Sequence, residues 1–217
     1  MTDFATRRRM MVDTQVRPSD VTEFPIIDAM LNVPREAFVP RDRIEAAYAS
    51  DSVPLGGNRV VLDPRGFAKM LDALNLSNSD LVLDVGAGLG YSSAIIARIA
   101  EAVVAVEDDP ARVSEAQAAL AEHHADNVIL HEASLVEGAP EHGPYDAIII
   151  EGGVEQVPES LIAQLKDGGR MVCIFMDDAL GTVRTGHKSD GVVTWRYAFN
   201  AGAPVLDGFE KSHEFAL

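Results

Sequence analysis

Three glycines and two acids lie at spacings that could bind a ligand carrying a ribose. Gly86, Gly88 and Gly90 follow an apolar run, and Asp84 lies just before them. Glycine lets the backbone turn sharply and approach a ligand closely. Glu107 ends a second apolar run about 20 positions later, where an acid can accept hydrogen bonds from both ribose hydroxyls. The combination predicts a nucleoside-binding cleft more strongly than a glycine-rich turn without a ligand.

The glycine spacing argues against a dinucleotide. A dinucleotide fold carries Gly-x-Gly-x-x-Gly, whose third glycine lets the helix pack closely on the strand. Tyr91 stands where that third glycine would fall. NAD is therefore the minor alternative, and the pattern resembles the first two motifs of class I S-adenosylmethionine-dependent methyltransferases. S-adenosylmethionine has a ribose but no pyrophosphate, so it does not need the anion site at a helix start.

The elements that must position these residues are buried parallel strands followed by helices. Apart from Asp84 and the terminal Glu107, the segments Leu81–Val85 and Ala102–Glu107 are apolar on both faces, which is typical of such strands. Helical spacing begins at Tyr91 and again at Pro110, because proline suits the first position of a helix. Ligands of these folds bind outside the carboxyl ends of the strands. We therefore expect the glycines and both acids at one edge of a sheet.

The remaining pattern predicts an α/β chain with a helical start. The expected strands lie at 128–131, 145–150, 170–176 and 192–199, with a hairpin turn at 190–191 and a packed irregular tail at 203–211. The expected helices lie at 44–48, 65–76 and 158–166, with glycines 168–169 as a stop. Ser19 or Asp20 is expected to cap a further helix that starts near Phe24. Residues 50–64 are expected to form a loop.

Charge and length narrow the function classes. The chain has 217 residues and a formal net charge of −16, a field that repels nucleic acids and anionic lipids. No apolar run approaches the roughly 18 residues of a membrane span, and the start does not have the pattern of a secretory signal. Residues 7–9, a run of arginines, are expected to form a solvated helix face. We expect neither a nucleic-acid nor a membrane partner.

Cysteine and histidine usage indicates no disulfide and no metal. The single cysteine, Cys173, lies in an apolar run and is expected to be a buried structural thiol. A reducing, cytoplasmic location fits this count. His123, His124 and His131 match no metal-ligand spacing, so we expect no metal.

Three further segments resemble one family, the protein-L-isoaspartate O-methyltransferases. They are residues 26–40, 144–150 and 157–172, which read IIDAMLNVPREAFVP, PYDAIII and VPESLIAQLKDGGRMV. The resemblance implies a Rossmann-like, doubly wound, seven-stranded class I methyltransferase sheet with an N-terminal helical extension. It implies one domain over 1–217, with a helical region and acceptor loop at 1–78 and the cofactor-binding core at 79–217.

The resemblance also implies the reaction. S-adenosyl-L-methionine would donate a methyl group to the carboxylate of isoaspartyl residues in damaged proteins, leaving S-adenosyl-L-homocysteine. The partner would be a protein or peptide carrying isoaspartate, and the chain a monomer or small homo-oligomer. The positions expected to bind the cofactor are Asp84, Gly86, Ala87, Gly88, Gly90, Tyr91, Glu107, Asp108, Ala133 and Ser134.

The chain departs from the family where the acceptor would bind. The family's Thr-Ile-Ser-x-Pro is replaced by residues 60–64, VVLDP, so Leu62 occupies the usual active-site serine position and no catalytic residue is assigned. Ala133-Ser134-Leu135 replaces Gly-Asp-Gly, and residues 150–153 replace Val-Thr-Ala-Ala. The acceptor-loop candidates are Val61, Leu62, Asp63 and Glu151.

These departures leave alternatives open. An ionised carboxylate needs no general base, so the absence of a catalytic triad agrees with the family reaction. Glu151 is either a solvent-facing acid at a loop start or an acid in the acceptor pocket, where its charge would disfavour an anionic acceptor. Asp63 has the same two interpretations, and Asp84 could merely brace the glycine turn. A related methyltransferase with another acceptor, or a non-catalytic S-adenosylmethionine-binding protein, is therefore an alternative.

Overall fold

The computed structural model describes residues 3–211. The helices are α1 Phe4–Met11, α2 Phe24–Asn32, α3 Pro64–Leu74, α4 Tyr91–Ile96, α5 Pro110–Glu122 and α6 Glu159–Gln164. The strands are β1 Val53–Gly56, β2 Arg59–Val61, β3 Leu81–Val85, β4 Ala102–Glu107, β5 Val128–Glu132, β6 Tyr145–Val154, β7 Leu165–Asp177, β8 Leu180–Ser189 and β9 Val192–Asn200. No helix in this part of the chain is both long enough and apolar enough to cross a membrane.

Within residues 3–211, seven strands form one sheet in the order β5-β4-β3-β6-β7-β8-β9. The strands from β5 to β7 are parallel, whereas β8 and β9 run antiparallel to their neighbours. The strand order reverses between β3 and β6, and such a switch point opens a crevice at the carboxyl ends. The predicted α/β, Rossmann-like, seven-stranded sheet with an N-terminal helical extension is confirmed.

Both faces of the sheet are covered, which explains the continuous apolar runs of its central strands. Val82 belongs to the core shared with Met30 and Phe67 of the N-terminal helices. Its neighbour Leu83 belongs to the opposite core, which includes Phe209 of the tail. Successive residues of a strand point to opposite faces, so β3 is apolar on both faces except at Asp84.

The helical start is tied to the rest of the chain by arginines. Arg8 binds Glu36 at 3.1 Å with both side chains mostly buried, so the prediction of a solvated arginine face is wrong at this position. Arg35 is fully buried and donates from Nε to Ala47 O and from Nη2 to Leu62 O, each at 2.7 Å. This buried cation therefore holds the segment that carries the acceptor-loop candidates.

Several local expectations in the first 64 residues are wrong. Ser19 does not cap α2, because its hydroxyl donates to Gln15 O, and Asp20 takes a left-handed conformation with φ 65°. A 3-10 helix lies at Arg41–Ala46 instead of a helix at 44–48. The expected loop at 50–64 contains the hairpin of β1 and β2, whose sheet is separate from the main one.

Two strands are longer or more numerous than expected. β6 continues through Glu151 to the double glycine, so Glu151 lies within a strand and the loop-start interpretation is wrong. β7 begins at Leu165, before the glycines expected to stop a helix. β8 was not expected, because glycines and charged residues interrupt its alternation. Pairing with β7 on one side and β9 on the other outweighs that weak local preference.

Candidate active site

Asp84, at the end of β3, braces the start of α4. Its side chain is fully buried and accepts hydrogen bonds from the hydroxyls of Ser92 at 2.7 Å and Ser93 at 2.6 Å. Burial raises the pKa of Asp84 to about 6, although the two hydroxyl donors oppose this shift. Asp84 Oδ2 therefore binds the first turn of α4, whereas Asp84 Oδ1 is buried and has no hydrogen-bond partner within residues 3–211.

The turn after Asp84 requires glycine. Gly86, Gly88 and Gly90 have φ values of 84°, 59° and 92°, in the left-handed region that other residues rarely adopt. Gly86 also donates its N–H to Val106 O of β4 at 2.9 Å, so the turn wraps over the neighbouring strand. The glycine turn and the end of β4 therefore form one wall of a cleft.

Glu107, at the end of β4, is fully buried and has several donors. Its Oε2 accepts from Gly88 N at 2.8 Å and from Arg59 Nη2 at 2.7 Å. Its Oε1 accepts from Arg59 Nη1 at 3.1 Å and from Arg112 Nε at 2.8 Å. The carboxylate stands where the sequence predicted a ribose-binding acid, and in this conformation Arg59 of β2 binds both of its oxygens.

Arg59 and its hairpin fill the cleft beside the glycine turn. The Arg59 side chain is 5% exposed, and its Nη2 lies 3.1 Å from where a Cβ on Gly86 would be. Leu55 Cδ1 lies 2.6 Å from the equivalent position on Gly88. A cavity of about 10 Å³ is left beside Glu151, room for roughly one water.

A larger groove opens on the outer side of the hairpin. It has a volume of about 390 Å³ and is lined by Asp108, Arg112 and Leu135 together with the hairpin tip. Pockets that bind small molecules have volumes of roughly 300–1,000 Å³, so this groove lies near the lower end of that range. Ala133, predicted to bind the cofactor, donates its N–H to Glu107 O at 3.2 Å and so lies close to this region. Ser134 is exposed.

The acceptor-loop candidates have unlike surroundings. Leu62 and Val61 are buried and belong to the core shared with the N-terminal helices. Asp63 caps α3 by accepting from Gly66 N at 2.8 Å, which accounts for its position without an acceptor. Tyr91, predicted to touch the cofactor, packs its ring on Phe67 and lies 4.7 Å from the guanidinium carbon of Arg35.

Glu151 is the acid that the structure moves into the pocket. It is buried and lines the small cavity, and within residues 3–211 its Oε1 has no hydrogen-bond partner. Burial raises the pKa of Glu151 well above its usual range, and the charge of Asp84 adds to this. Both effects favour the neutral acid over the carboxylate, so they weaken the repulsion of an anionic acceptor that was expected from the sequence.

Sequence reasoning missed the arginines of the site. Arg59 lay in a segment expected to be a loop, and its position beside a Gly-Gly-Asn turn was the one signal of a hairpin. Arg112 follows Asp108 by four positions, a spacing that places both on one side of a helix start. The partners of Arg35 come from distant segments, so no spacing in the sequence could have indicated them.

Known proteins resemble most of this chain in sequence. The family model described as protein-L-isoaspartate(D-aspartate) O-methyltransferase matches residues 7–198. A protein-L-isoaspartate O-methyltransferase 1 of Rhodopseudomonas palustris is 38% identical over 171 residues, which is 79% of this chain and 70% of that protein. A protein-L-isoaspartate O-methyltransferase of Roseiflexus castenholzii is 35% identical over 170 residues, 78% of each chain.

Solved structures agree with the fold. A protein-L-isoaspartate O-methyltransferase superposes with a TM-score of 0.80 at 25% identity, covering 93% of this chain and 66% of that one. A Plasmodium falciparum protein, described as a putative protein-L-isoaspartate O-methyltransferase and solved with S-adenosyl-L-homocysteine, superposes with a TM-score of 0.79 at 18% identity. The match covers 95% of this chain and 99% of that one. Because the family model matches residues 7–198 and the Rhodopseudomonas palustris and Roseiflexus castenholzii relatives are 35–38% identical over more than two thirds of each chain, the chain belongs to the protein-L-isoaspartate(D-aspartate) O-methyltransferase family.

Proposed function

We propose that this chain is an S-adenosylmethionine-dependent methyltransferase that esterifies the side-chain carboxylate of isoaspartyl residues. One observation carries the proposal. Asp84, the left-handed glycine turn and Glu107 converge at the carboxyl edge of the sheet, in the fold of this family. Residues 79–217 supply this cofactor side, and residues 1–78 supply the acceptor side.

The polar groups of the cleft fit the cofactor, whereas the space beside the glycine turn is taken by Arg59. Glu107 offers two carboxylate oxygens for ribose hydroxyls, and the adjoining groove beside Asp108 has room for a base. Asp84 keeps the turn in shape. S-adenosylmethionine supplies a methyl group on a sulfonium, which an ionised carboxylate can attack directly. A ribose reaches Glu107 only when Arg59 leaves it.

The protein's own contribution is position and exclusion of water. Alignment of two reactants can be worth roughly 7–11 kcal/mol of a barrier in the best cases. Val61 and Leu62 provide apolar walls on the acceptor side, and Glu151 provides a buried carboxyl group there whose raised pKa favours the protonated form. We infer that the hydroxyl of protonated Glu151 donates a hydrogen bond to the acceptor carboxylate, in place of the missing serine and threonine.

A methylation assay tests the proposal directly. An isoaspartyl peptide and its aspartyl counterpart are incubated with methyl-labelled S-adenosylmethionine, and base-released methanol is counted. We expect label only with the isoaspartyl peptide. Equal, background counts with both peptides, together with measurable binding of S-adenosyl-L-homocysteine by calorimetry, would reject the acceptor and keep the methyltransferase class.

A related methyltransferase with another acceptor is the second candidate. The observation in its favour is the apolar acceptor loop, in which Val60 and Leu62 replace hydroxyl side chains. A screen of amine and hydroxyl acceptors, read as production of S-adenosyl-L-homocysteine, tests it. A hit whose rate falls in Glu151→Gln would support a general-base role for Glu151, whereas unchanged rates would remove that role.

The setting of the reaction is also a proposal. We infer a cytoplasmic protein that acts on damaged proteins as a monomer or small homo-oligomer and does not bind nucleic acid. The net charge of −16 and the single cysteine, which is buried, support this. Light scattering of the purified chain tests the oligomeric state.

A further inference from the structure

The hairpin of β1 and β2 covers the cleft from the acceptor side. It forms a separate two-stranded sheet and lies against β6, and Arg59 and Leu55 extend from it over the glycine turn. At its tip, Asn58 Nδ2 donates to Val205 O and to Asp207 Oδ1, the latter at 2.9 Å. The hairpin is therefore fastened at both sides of the cleft, to Glu107 and to the tail.

The contacts of Arg59 are those that a ribose would need. Both oxygens of Glu107 accept from its guanidinium, so a diol and Arg59 cannot bind this carboxylate together. Arg59 also has a second partner on the rim, because its Nη1 lies 3.0 Å from Oδ1 of the half-exposed Asp108. A side chain that swings outward can therefore keep an ion pair while it frees Glu107.

We propose that Arg59 is a latch: the adenosyl cofactor and the guanidinium compete for Glu107, and the cofactor binds after the hairpin opens. This inference rests on the proposed function. The latch adds a free-energy cost of opening to every binding event. The smaller the fraction of chains that are open, the lower is the apparent affinity for the cofactor. Removing the guanidinium removes that cost.

Calorimetry with S-adenosyl-L-homocysteine tests the latch. We expect Arg59→Gln to bind at least tenfold more tightly than the wild type and Arg59→Lys to lie between them. Arg98→Gln is the matched control, because it removes an arginine from an exposed pair with Asp28 and leaves the cleft intact. Its affinity should equal that of the wild type.

A second measurement on the wild type does not depend on the folding of a variant. Amide hydrogen exchange at residues 53–61 should become faster when S-adenosyl-L-homocysteine binds, because the hairpin loses its contact with Glu107. Equal affinities of wild type and Arg59→Gln within twofold, or slower exchange at the hairpin, would overturn the latch alone. Binding by neither protein would overturn the cofactor site itself.

A separate cluster lies near the edge of the sheet. His131 of β5 places Nε2 3.3 Å from Oε1 of Glu141, and its ring lies 5.6 Å from that of His142, nearly perpendicular. One donor atom of each of the three side chains lies within 4.8 Å of the others. Glu141 and His142 belong to the 3-10 helix Pro140–His142, whereas His131 is held by strand pairing.

Buried hydrogen bonds hold this turn in place. Ala139 O accepts from the hydroxyl of Tyr145 at 2.6 Å, and Ala139 N donates to Gln164 Oε1 at 3.0 Å. Two ligands therefore come from an anchored turn and the third from a paired strand. Such support is what a metal site needs to keep its donors in place.

We infer that His131, Glu141 and His142 bind a transition-metal dication such as Zn²⁺. Zinc bonds of about 2.0–2.2 Å place tetrahedral donors about 3.3 Å apart, the separation of the His131 and Glu141 atoms. A small rotation of His142 completes the set, and water takes the fourth position. Two imidazoles disfavour Mg²⁺ and Ca²⁺, which prefer oxygen ligands.

Titration of chelator-treated protein with Zn²⁺ alone tests the site. We expect one Zn²⁺ per chain, binding at least tenfold weaker in His142→Ala and in Glu141→Gln, and unchanged binding in His187→Ala, which removes an exposed histidine of β8. No heat of binding in the wild type would overturn the site. Equal affinity in wild type and His142→Ala would do the same.

Discussion

Glu107, on the cofactor side of the cleft, and Glu151, on the acceptor side, differ in how completely their carboxyl oxygens are paired. On the cofactor side, Asp84 Oδ2 accepts two hydroxyls and both oxygens of Glu107 accept several donors. Within the described residues, Glu151 Oε1 on the acceptor side is buried without a hydrogen-bond partner, and so is Asp84 Oδ1 on the cofactor side. Buried polar atoms without partners are uncommon in folded proteins.

The difference follows the departures from the family sequence. The glycine turn and Glu107 keep the family pattern, whereas residues 60–64 and 150–153 do not. On the acceptor side, Glu151 therefore offers an unpaired oxygen to the polar atoms of an acceptor. The closed state of the cofactor side comes from Arg59, a residue of the acceptor segment, so the two sides are coupled through one ion pair.

The largest effect is expected from breaking that coupling. Glu107→Gln leaves the Arg59 guanidinium buried without its full counter-charge, which we expect to lower the free energy of unfolding by about 3–5 kcal/mol. The double variant Arg59→Gln/Glu107→Gln should lose less than the sum of the two single variants. Urea unfolding of all four proteins measures this, and additive losses would show that the pair is not coupled.

A smaller effect on stability is expected at the acceptor loop, where two variants with similar losses of stability should differ in activity. Leu62→Ser and Leu62→Ala both remove a buried side chain and should each cost about 2–5 kcal/mol of stability. Only the serine restores the hydroxyl of the family. Methylation of an isoaspartyl peptide should therefore be faster in Leu62→Ser than in Leu62→Ala. Equal rates would show that a hydroxyl at this position does not contribute to methyl transfer.

The smallest effect is a pH dependence at Glu151. Burial raises the pKa of Glu151 above its ordinary 4.5, so the folded chain holds a proton that the unfolded chain releases. The stability that this proton confers is complete below about pH 4.5 and is lost as pH rises through the folded-state pKa.

Glu151→Gln isolates this contribution. Unfolding free energies of wild type and variant should diverge in favour of the variant as pH rises from about 4.5 toward the folded-state pKa of Glu151. Asp84, with its pKa raised to about 6, gives both proteins a similar loss of stability as pH rises through that value. Parallel pH profiles would place Glu151 in contact with solvent.

The sequence predicted the cofactor side better than the acceptor side for a physical reason. β3 and β4 are buried on both faces, so their apolar runs indicate strands. An acid at the end of such a run is expected at the carboxyl edge of the sheet. Glu151 was harder to place, because its strand continues through Gly152 and Gly153. Those glycines leave room for the tail, whose Leu206 lies 2.6 Å from where a Cβ on Gly152 would be.

Arg59 shows the other limit of sequence reasoning. Its partners on β4 are about 50 positions away, and nothing in a Gly-Gly-Asn-Arg turn indicates which carboxylate its guanidinium meets. The fold brings the hairpin over the edge of the sheet, and burial then selects the bidentate pair with Glu107. Tertiary contacts of this kind decide whether a cleft is open or closed, even where the sequence predicts the residues that line it.

The central claim, that Glu107 binds the ribose of the adenosyl cofactor, is tested most directly in the Arg59→Gln background, where the loss of Glu107 does not leave the Arg59 guanidinium buried without its counter-charge. S-adenosyl-L-homocysteine is titrated into Arg59→Gln and into Arg59→Gln/Glu107→Gln by calorimetry. We predict one tightly bound ligand per chain in the first and at least tenfold weaker binding in the second. Equal affinities would contradict the claim.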